Sequence, residues 1–307
     1  MRLLHTTRLT LETPTGVQPY AILSHRWLAD SEEVSFQDLQ HMSVSPSEGS
    51  HDNHAGLTKL QGACKQASRA GLEYIWIDTC CIDKTSSAEL SEAINSMYAW
   101  YQESAVCYVY LHDVDNDAVR ENPKFALENA EWFKRGWTLQ ELIAPDNVYF
   151  FDTDWTRIGS KATFATILNE ITHIRKDVLL GNPCEPSIAE KMSWAAGRKT
   201  RKIEDRAYSL MGLFNIHMPI IYGEGEKAFK RLQLEIMKSS DDQTIFAWLD
   251  TLTQPSFVRD RGLLASTPDV FKCPVWLHLL AGPGYRGYSP SHWGRTSPSL
   301  GTPLHRS

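Results

Sequence analysis

Four short runs along the chain are apolar almost throughout: residues 20–24 (YAILS), 74–78 (YIWID), 106–111 (VCYVYL) and 148–151 (VYFF). They are rich in β-branched and aromatic residues, and near-continuous apolarity is the pattern of strands covered on both faces. Between them the spacing becomes helical. Leu57, Leu60, Cys64 and Ala67 fall on one stripe, as do Ile94, Met97, Tyr98 and Tyr101. Ser86, followed three residues later by Glu89, is a capping box that starts the second of these helices. Strands alternating with helices predict an α/β fold: a parallel sheet flanked by helices and joined by right-handed crossovers.

Residues 29–56 break this rhythm. They contain the polar stretch SVSPSEGSHDNHAG and read as a long surface loop, a lid or a tolerated insertion. Beyond about residue 154 the pattern turns mainly helical, best at residues 188–197, 204–214 and 224–238. The last 35 residues hold five Gly, five Pro and five Ser with no Asp or Glu, so they have little means to build a core. The expected organisation is an α/β domain over 1–155, a mainly helical extension over 156–271 and a poorly ordered tail over 272–307.

Composition narrows the chemistry. With 31 basic and 37 acidic residues the net charge is −6, and no long Lys/Arg run appears, so nucleic acid is not an expected partner. No stretch is long and apolar enough to span a membrane, and the first residues lack the apolar core of a signal peptide. The expected compartment is the cytoplasm. The six cysteines form no CxxC pair, which points to free thiols and to no metal site.

In a doubly wound sheet, ligands bind beyond the carboxyl ends of the strands. Ser24, His25, Arg26 and Trp27 follow the first strand. Asp78, Thr79, Cys80, Cys81 and Asp83 follow the second, and His112, Asp113 and Asp115 the third. Each also fits ordinary strand-end capping. The segment WFKRGWTLQELIAP (residues 132–145) is more informative: as a helix it puts Leu139, Leu142 and Ile143 on one face and Glu141 on another, one turn from Trp137. Two other motifs are weaker. Gly223-Glu224-Gly225-Glu226-Lys227 lacks the spacing of a phosphate loop and carries two acids, so it reads as a turn entering a helix. Cys80 or Cys81 with His25 would make a thiol nucleophile and its base, with no sign of a stabilised thiolate.

YAILSHRWL (residues 20–28), YIWIDTCCIDK (74–84), SEAINSMYAWY (91–101) and RGWTLQELIAP (135–145) resemble, in order and character, the fungal heterokaryon-incompatibility (HET) domain. EDRAYSLMGLF (204–214), MPIIYGEGEKAFKRLQLEI (218–236) and RGLLASTP (261–268) resemble the helical extension that commonly follows it; after about residue 271 the tail departs from the pattern. HET domains are implicated in non-self recognition and regulated cell death, and they are similar to Toll/interleukin-1 receptor (TIR) domains. The resemblance therefore implies a TIR- or flavodoxin-like sheet. Ser24-His25-Arg26 resembles the Ser-Phe-Arg closing the first TIR strand, and Trp137-Thr138-Leu139-Gln140-Glu141-Leu142 resembles the helix that carries the catalytic Glu of NAD⁺-cleaving TIR domains. His25 and Thr138 depart from that pattern.

The resemblance implies NAD⁺ as substrate, no prosthetic group, Glu141 as the catalytic carboxylate, and Ser24, His25, Arg26, Trp27, Asp78 and Trp137 around the dinucleotide. Trp137 would stack on a planar ring, Arg26 would hold a phosphate, and Asp78 a polar edge. It also implies a homo-oligomer, or other incompatibility or NLR-type signalling proteins, as partners. The rival reading is a non-enzymatic, self-associating adaptor in which Glu141 is a surface residue.

Overall fold

The structure, a computed structural model, describes residues 1–29, 31–44, 55–182, 185–248 and 262–272. Its strands are β1 (Leu3–His5), β2 (Leu11–Glu12), β3 (Tyr20–His25), β4 (Tyr74–Trp76), β5 (Val106–Tyr110), β6 (Val148–Phe151) and β7 (Arg157–Ser160), and its helices begin with α1 (Phe36–Val44), α2 (Ala55–Arg69), α3 (Asp78–Cys81) and α4 (Ser87–Gln102). There follow α5 (Asn116–Glu121), α6 (Pro123–Asn129), α7 (Thr138–Ile143), α8 (Ala165–Thr172), α9 (Lys176–Leu179), α10 (Ile188–Ala195), α11 (Asp205–Tyr208) and α12 (Lys227–Ser239).

The described strands form one mixed sheet in the order β2-β1-β4-β3-β5-β6-β7. The four strands foreseen from the apolar runs are its parallel centre, β4-β3-β5-β6. Antiparallel β1 and β2 extend one side and antiparallel β7 the other. These strands escape the apolar-run test because they are two to four residues long, too short for a pattern to show. Every residue of β3 is buried, as a central strand requires. The chain leaves β3 toward β4 and then crosses back to β5. The gap between the ends of β3 and β5 is thus the point where strand order reverses, and where a doubly wound sheet opens a crevice.

The α2 stripe buries Leu60, Ala63, Cys64 and Ala67, and α4 buries Ala93, Ile94, Met97 and Tyr101. Ser86 caps α4 by accepting the Glu89 N–H. The capping box is only half formed, because the Glu89 carboxylate accepts from the Asp83 N–H at 2.8 Å and from Arg2. The core also holds Trp76, Trp132, Tyr101 and Phe150, each almost wholly buried and each worth about 2–3 kcal/mol of apolar burial.

Three expectations need comment. Within residues 29–56, described at 29, 31–44 and 55–56, the chain forms α1 and the start of α2 rather than loop alone, with Val34, Phe36 and Leu39 buried. The region after residue 154 begins with β7, so the sheet continues past residue 155. Met1–Lys272 pack as one compact unit; the Gly/Pro/Ser tail from residue 273 lies outside the described residues. Among those described, no helix is long and apolar enough to cross a membrane.

Candidate functional site

Ser24 and His25 close β3, and the chain then turns through Arg26 and Trp27. Pleat alternation would send Ser24 and His25 to opposite faces, and the two side chains do meet different neighbours. Ser24 Oγ accepts from Trp132 Nε1 at 2.8 Å and donates to the Glu141 carboxylate. Glu141 sits in the short helix α7, whose Leu139 and Leu142 are wholly buried. Glu141 itself is 6% exposed, unlike the solvated glutamate of the rival reading. Burial pushes its carboxyl up from an ordinary 4.5 to about 7, against the opposing pull of the Arg135 guanidinium and the Ser24 hydroxyl. It therefore exchanges a proton near neutrality.

On the other side of the strand end lies a second polar group. His25 is 3% exposed and neither ring nitrogen has a hydrogen-bond partner among the described residues. Its Nε2 is 3.7 Å from Asp78 Oδ1 and 3.9 Å from Glu33 Oε1, both beyond hydrogen-bonding reach. Burial, then the nearby Lys59 and Arg135 charges, hold His25 well below the usual imidazole range, so it is neutral. Asp78 accepts from Trp27 Nε1 at 2.7 Å. Glu33 pairs with buried Lys59 and accepts the Leu28 N–H at 2.6 Å, and these bonds pin the turn that presents Arg26 and Trp27.

Above these groups a cleft of about 650 Å³ opens, lined by Arg26, Trp27, Asp78, Trp137 and Glu141, among others. That volume suits a ligand of nucleotide size. Ser24 and His25 do not line it: Ser24 reaches it through Glu141, and His25 lies beneath Asp78. Of the other strand-end residues, His112 is on the lining, whereas Asp115 caps α5 and Asp113 accepts the Glu131 N–H.

The downstream chain supplies the facing wall with Lys199, Thr200, Arg201, Asp205 and Tyr222. Residues 134–136 and 199 exchange backbone bonds, Lys199 N–H to Lys134 O at 2.7 Å and Gly136 N–H to Lys199 O at 2.8 Å. A Cβ at Gly136 would stand 2.5 Å from Thr200 Cγ2, so this approach needs glycine. Next to it the buried Arg198 guanidinium donates to Arg135 O at 3.0 Å and Thr138 Oγ1 at 3.1 Å. Burial lowers it to about 10, partly offset by the Glu141 charge. Asp205 accepts from Tyr222 at 3.0 Å, and burial raises its carboxyl.

None of the downstream residues was a sequence candidate, nor were Lys84 and Arg135. A signal existed: residues 198–202, RKTRK, hold four cations in five. The two weaker motifs resolve simply. Gly223 and Gly225 take positive φ and turn both their N–H groups onto the Glu204 carboxylate at 2.8 and 3.0 Å, so the turn already holds an anion of its own. Cys80 and Cys81 are buried off the cleft lining with their thiols against backbone carbonyls, and Cys80, hydrogen-bonded to Cys81 and buried, is pushed well up.

Comparison with known proteins defines the class. Residues 20–125 match the heterokaryon incompatibility protein (HET) family, and residues 227–272 match a domain of unknown function (DUF8212). The chain thus carries a heterokaryon-incompatibility domain over residues 20–125. Among curated proteins it is 45% identical over 238 residues to vegetative incompatibility protein HET-E-1 of Podospora anserina; the matched region covers 75% of this chain and 17% of that protein. The chain thus spans less than a fifth of the length of the relative it matches. No solved structure matches it.

Proposed function

We propose that this chain is the NAD⁺-cleaving module of a protein of fungal non-self recognition and regulated cell death. The observation that carries the reading is Glu141: a buried carboxylate on a nucleotide-sized cleft, steered by one hydroxyl and accompanied by two half-buried indoles and several cations. The nicotinamide of NAD⁺ is already a cation, so it departs neutral when the C1′–N bond breaks and keeps the electron pair. No acid is needed, in contrast to ordinary glycoside hydrolysis. The ribosyl oxocarbenium left behind is stabilised by an adjacent carboxylate far more in a water-poor cleft than in water. Water adds to C1′ and gives its proton to Glu141, whose proton exchange near pH 7 suits that role.

Trp137, half-buried on the lining, is placed to stack on a planar ring of the dinucleotide. A site of this kind also reads as one that a neighbouring copy would help close, so turnover per chain is expected to rise with self-association.

The test is free nicotinamide release from NAD⁺ by the purified full chain, compared with Glu141→Gln. The wild type should turn over, and the variant should lose about 10³-fold, the scale of removing one transition-state charge stabiliser. Cell killing with no nicotinamide release by wild type at any concentration would overturn the enzymatic reading in favour of the adaptor.

A further inference from the structure

The proposed chemistry uses the floor of the cleft, and a group of cations gathers on its walls, among them Arg135, which also donates to the His25 carbonyl. Three converge on one aromatic side chain: Lys84 Nζ lies 3.7 Å from the centre of the Trp27 ring, Arg201 Cζ 5.7 Å and Arg135 Cζ 5.8 Å. They come from three separate stretches: the turn after α3, the residues just before α7 and the downstream strap. All three line the cleft. The chain as a whole carries −6, so composition alone does not produce such a gathering.

Five acids share the lining, of which Glu32 is exposed and the other four have partners of their own. Asp78 is bonded to the Trp27 indole, Glu141 to Ser24 and Asp205 to Tyr222, while Glu131 pairs with Lys134 at 2.8 Å and approaches Arg26 at 3.8 Å. Three cations held around one ring on a nucleotide-sized cleft present positive charge to a bound dianion. Guanidinium groups also meet phosphate oxygens in a planar fork.

We infer that Lys84, Arg135 and Arg201, gathered around Trp27, form a subsite for the diphosphate of a nucleotide ligand, so that Arg201 makes the downstream segment part of the binding site. The inference rests on the dinucleotide reading for its biological ligand, but binding can be measured without catalysis. It moves the phosphate contact from Arg26, which already faces Glu131 at the rim, to the inner cations. It also requires residues well beyond the 20–125 stretch that matches the HET family.

Lys84 and Arg201 are exposed, so Lys84→Gln and Arg201→Gln should fold normally. Titration calorimetry of the full chain at fixed low salt, with ADP-ribose, inorganic pyrophosphate and adenosine as probes, tests the idea. Each variant should weaken ADP-ribose about tenfold and pyrophosphate by a similar factor, the usual scale for a lost charged hydrogen bond. Adenosine should be unaffected, and Arg201→Lys should recover part of the loss. Wild-type ADP-ribose affinity no better than that of adenosine, or equal weakening of all probes, would overturn the subsite. If wild type releases no nicotinamide yet binds ADP-ribose through Lys84 and Arg201, the hydrolase reading fails and the subsite stands. If NAD⁺ is cleaved and neither variant changes KM, the subsite fails alone.

Discussion

The floor and the strap of the cleft are built on opposite physical terms. The floor comes from a central strand end and a short helix; its polar atoms are buried and few, and the Trp132–Ser24–Glu141 chain links those on the Glu141 side in sequence. The strap, residues 198–205, is loop and helix start with exposed cations, held to the floor by backbone bonds and by the single buried guanidinium of Arg198. A rigid, desolvated floor tunes a proton equilibrium, whereas an exposed strap can only attract and orient charge. In the proposed function, chemistry would belong to the first and recognition to the second.

Substitutions on either side sharpen this contrast. The largest effect is expected on the floor, where Glu141→Gln should cut turnover by about 10³-fold yet raise stability. Because the folded carboxyl titrates at about 7 instead of 4.5, its favourable contribution is complete below pH 4.5 and is lost as pH rises through 7. The variant should be more stable than wild type by up to about 3 kcal/mol at pH 8 and by almost nothing at pH 4, as read from urea unfolding. An equal effect at both pH values would break the assignment of a charge-burial cost to the floor.

Next in size is the joint between the two regions. Arg198→Met should cost about 2–4 kcal/mol, since it leaves Thr138 Oγ1 and the Arg135 carbonyl short of a donor. It should also move the acid limb of kcat/KM to higher pH by removing a cation that favours ionised Glu141. A loss of stability with no shift of that limb would confine Arg198 to holding the strap.

The smallest effect distinguishes the members of the floor. In wild type, kcat/KM should rise with pH through about 7 as Glu141 ionises. Ser24→Ala should shift that rise upward, because the hydroxyl donates to the charged form, at a stability cost of about 1 kcal/mol. A pH profile unchanged by Ser24→Ala would remove the serine from the site.

The parallel centre of the sheet was legible because burial on both faces leaves a continuous apolar run, and that signal is local. The flanking antiparallel strands β1, β2 and β7 were not, since two to four residues carry no periodicity and their pairing is dictated by the neighbours. Glu141 and Trp137 stood out through their spacing and the family resemblance. Arg201 and Asp205 did not, because nothing nearby in the chain shows that residues 198–205 lie against residues 134–138.

The central strands, the main helices between them and a lone acid one helical turn from an indole are written in the local pattern, since each depends on interactions within a few residues. The desolvation of this acid, its contact with Ser24 while His25 stays off the cleft, and the cationic strap from 60 residues downstream that lines the same cleft arise from packing. Desolvation and charge convergence are sums over atoms distant in the chain, so no local pattern records them.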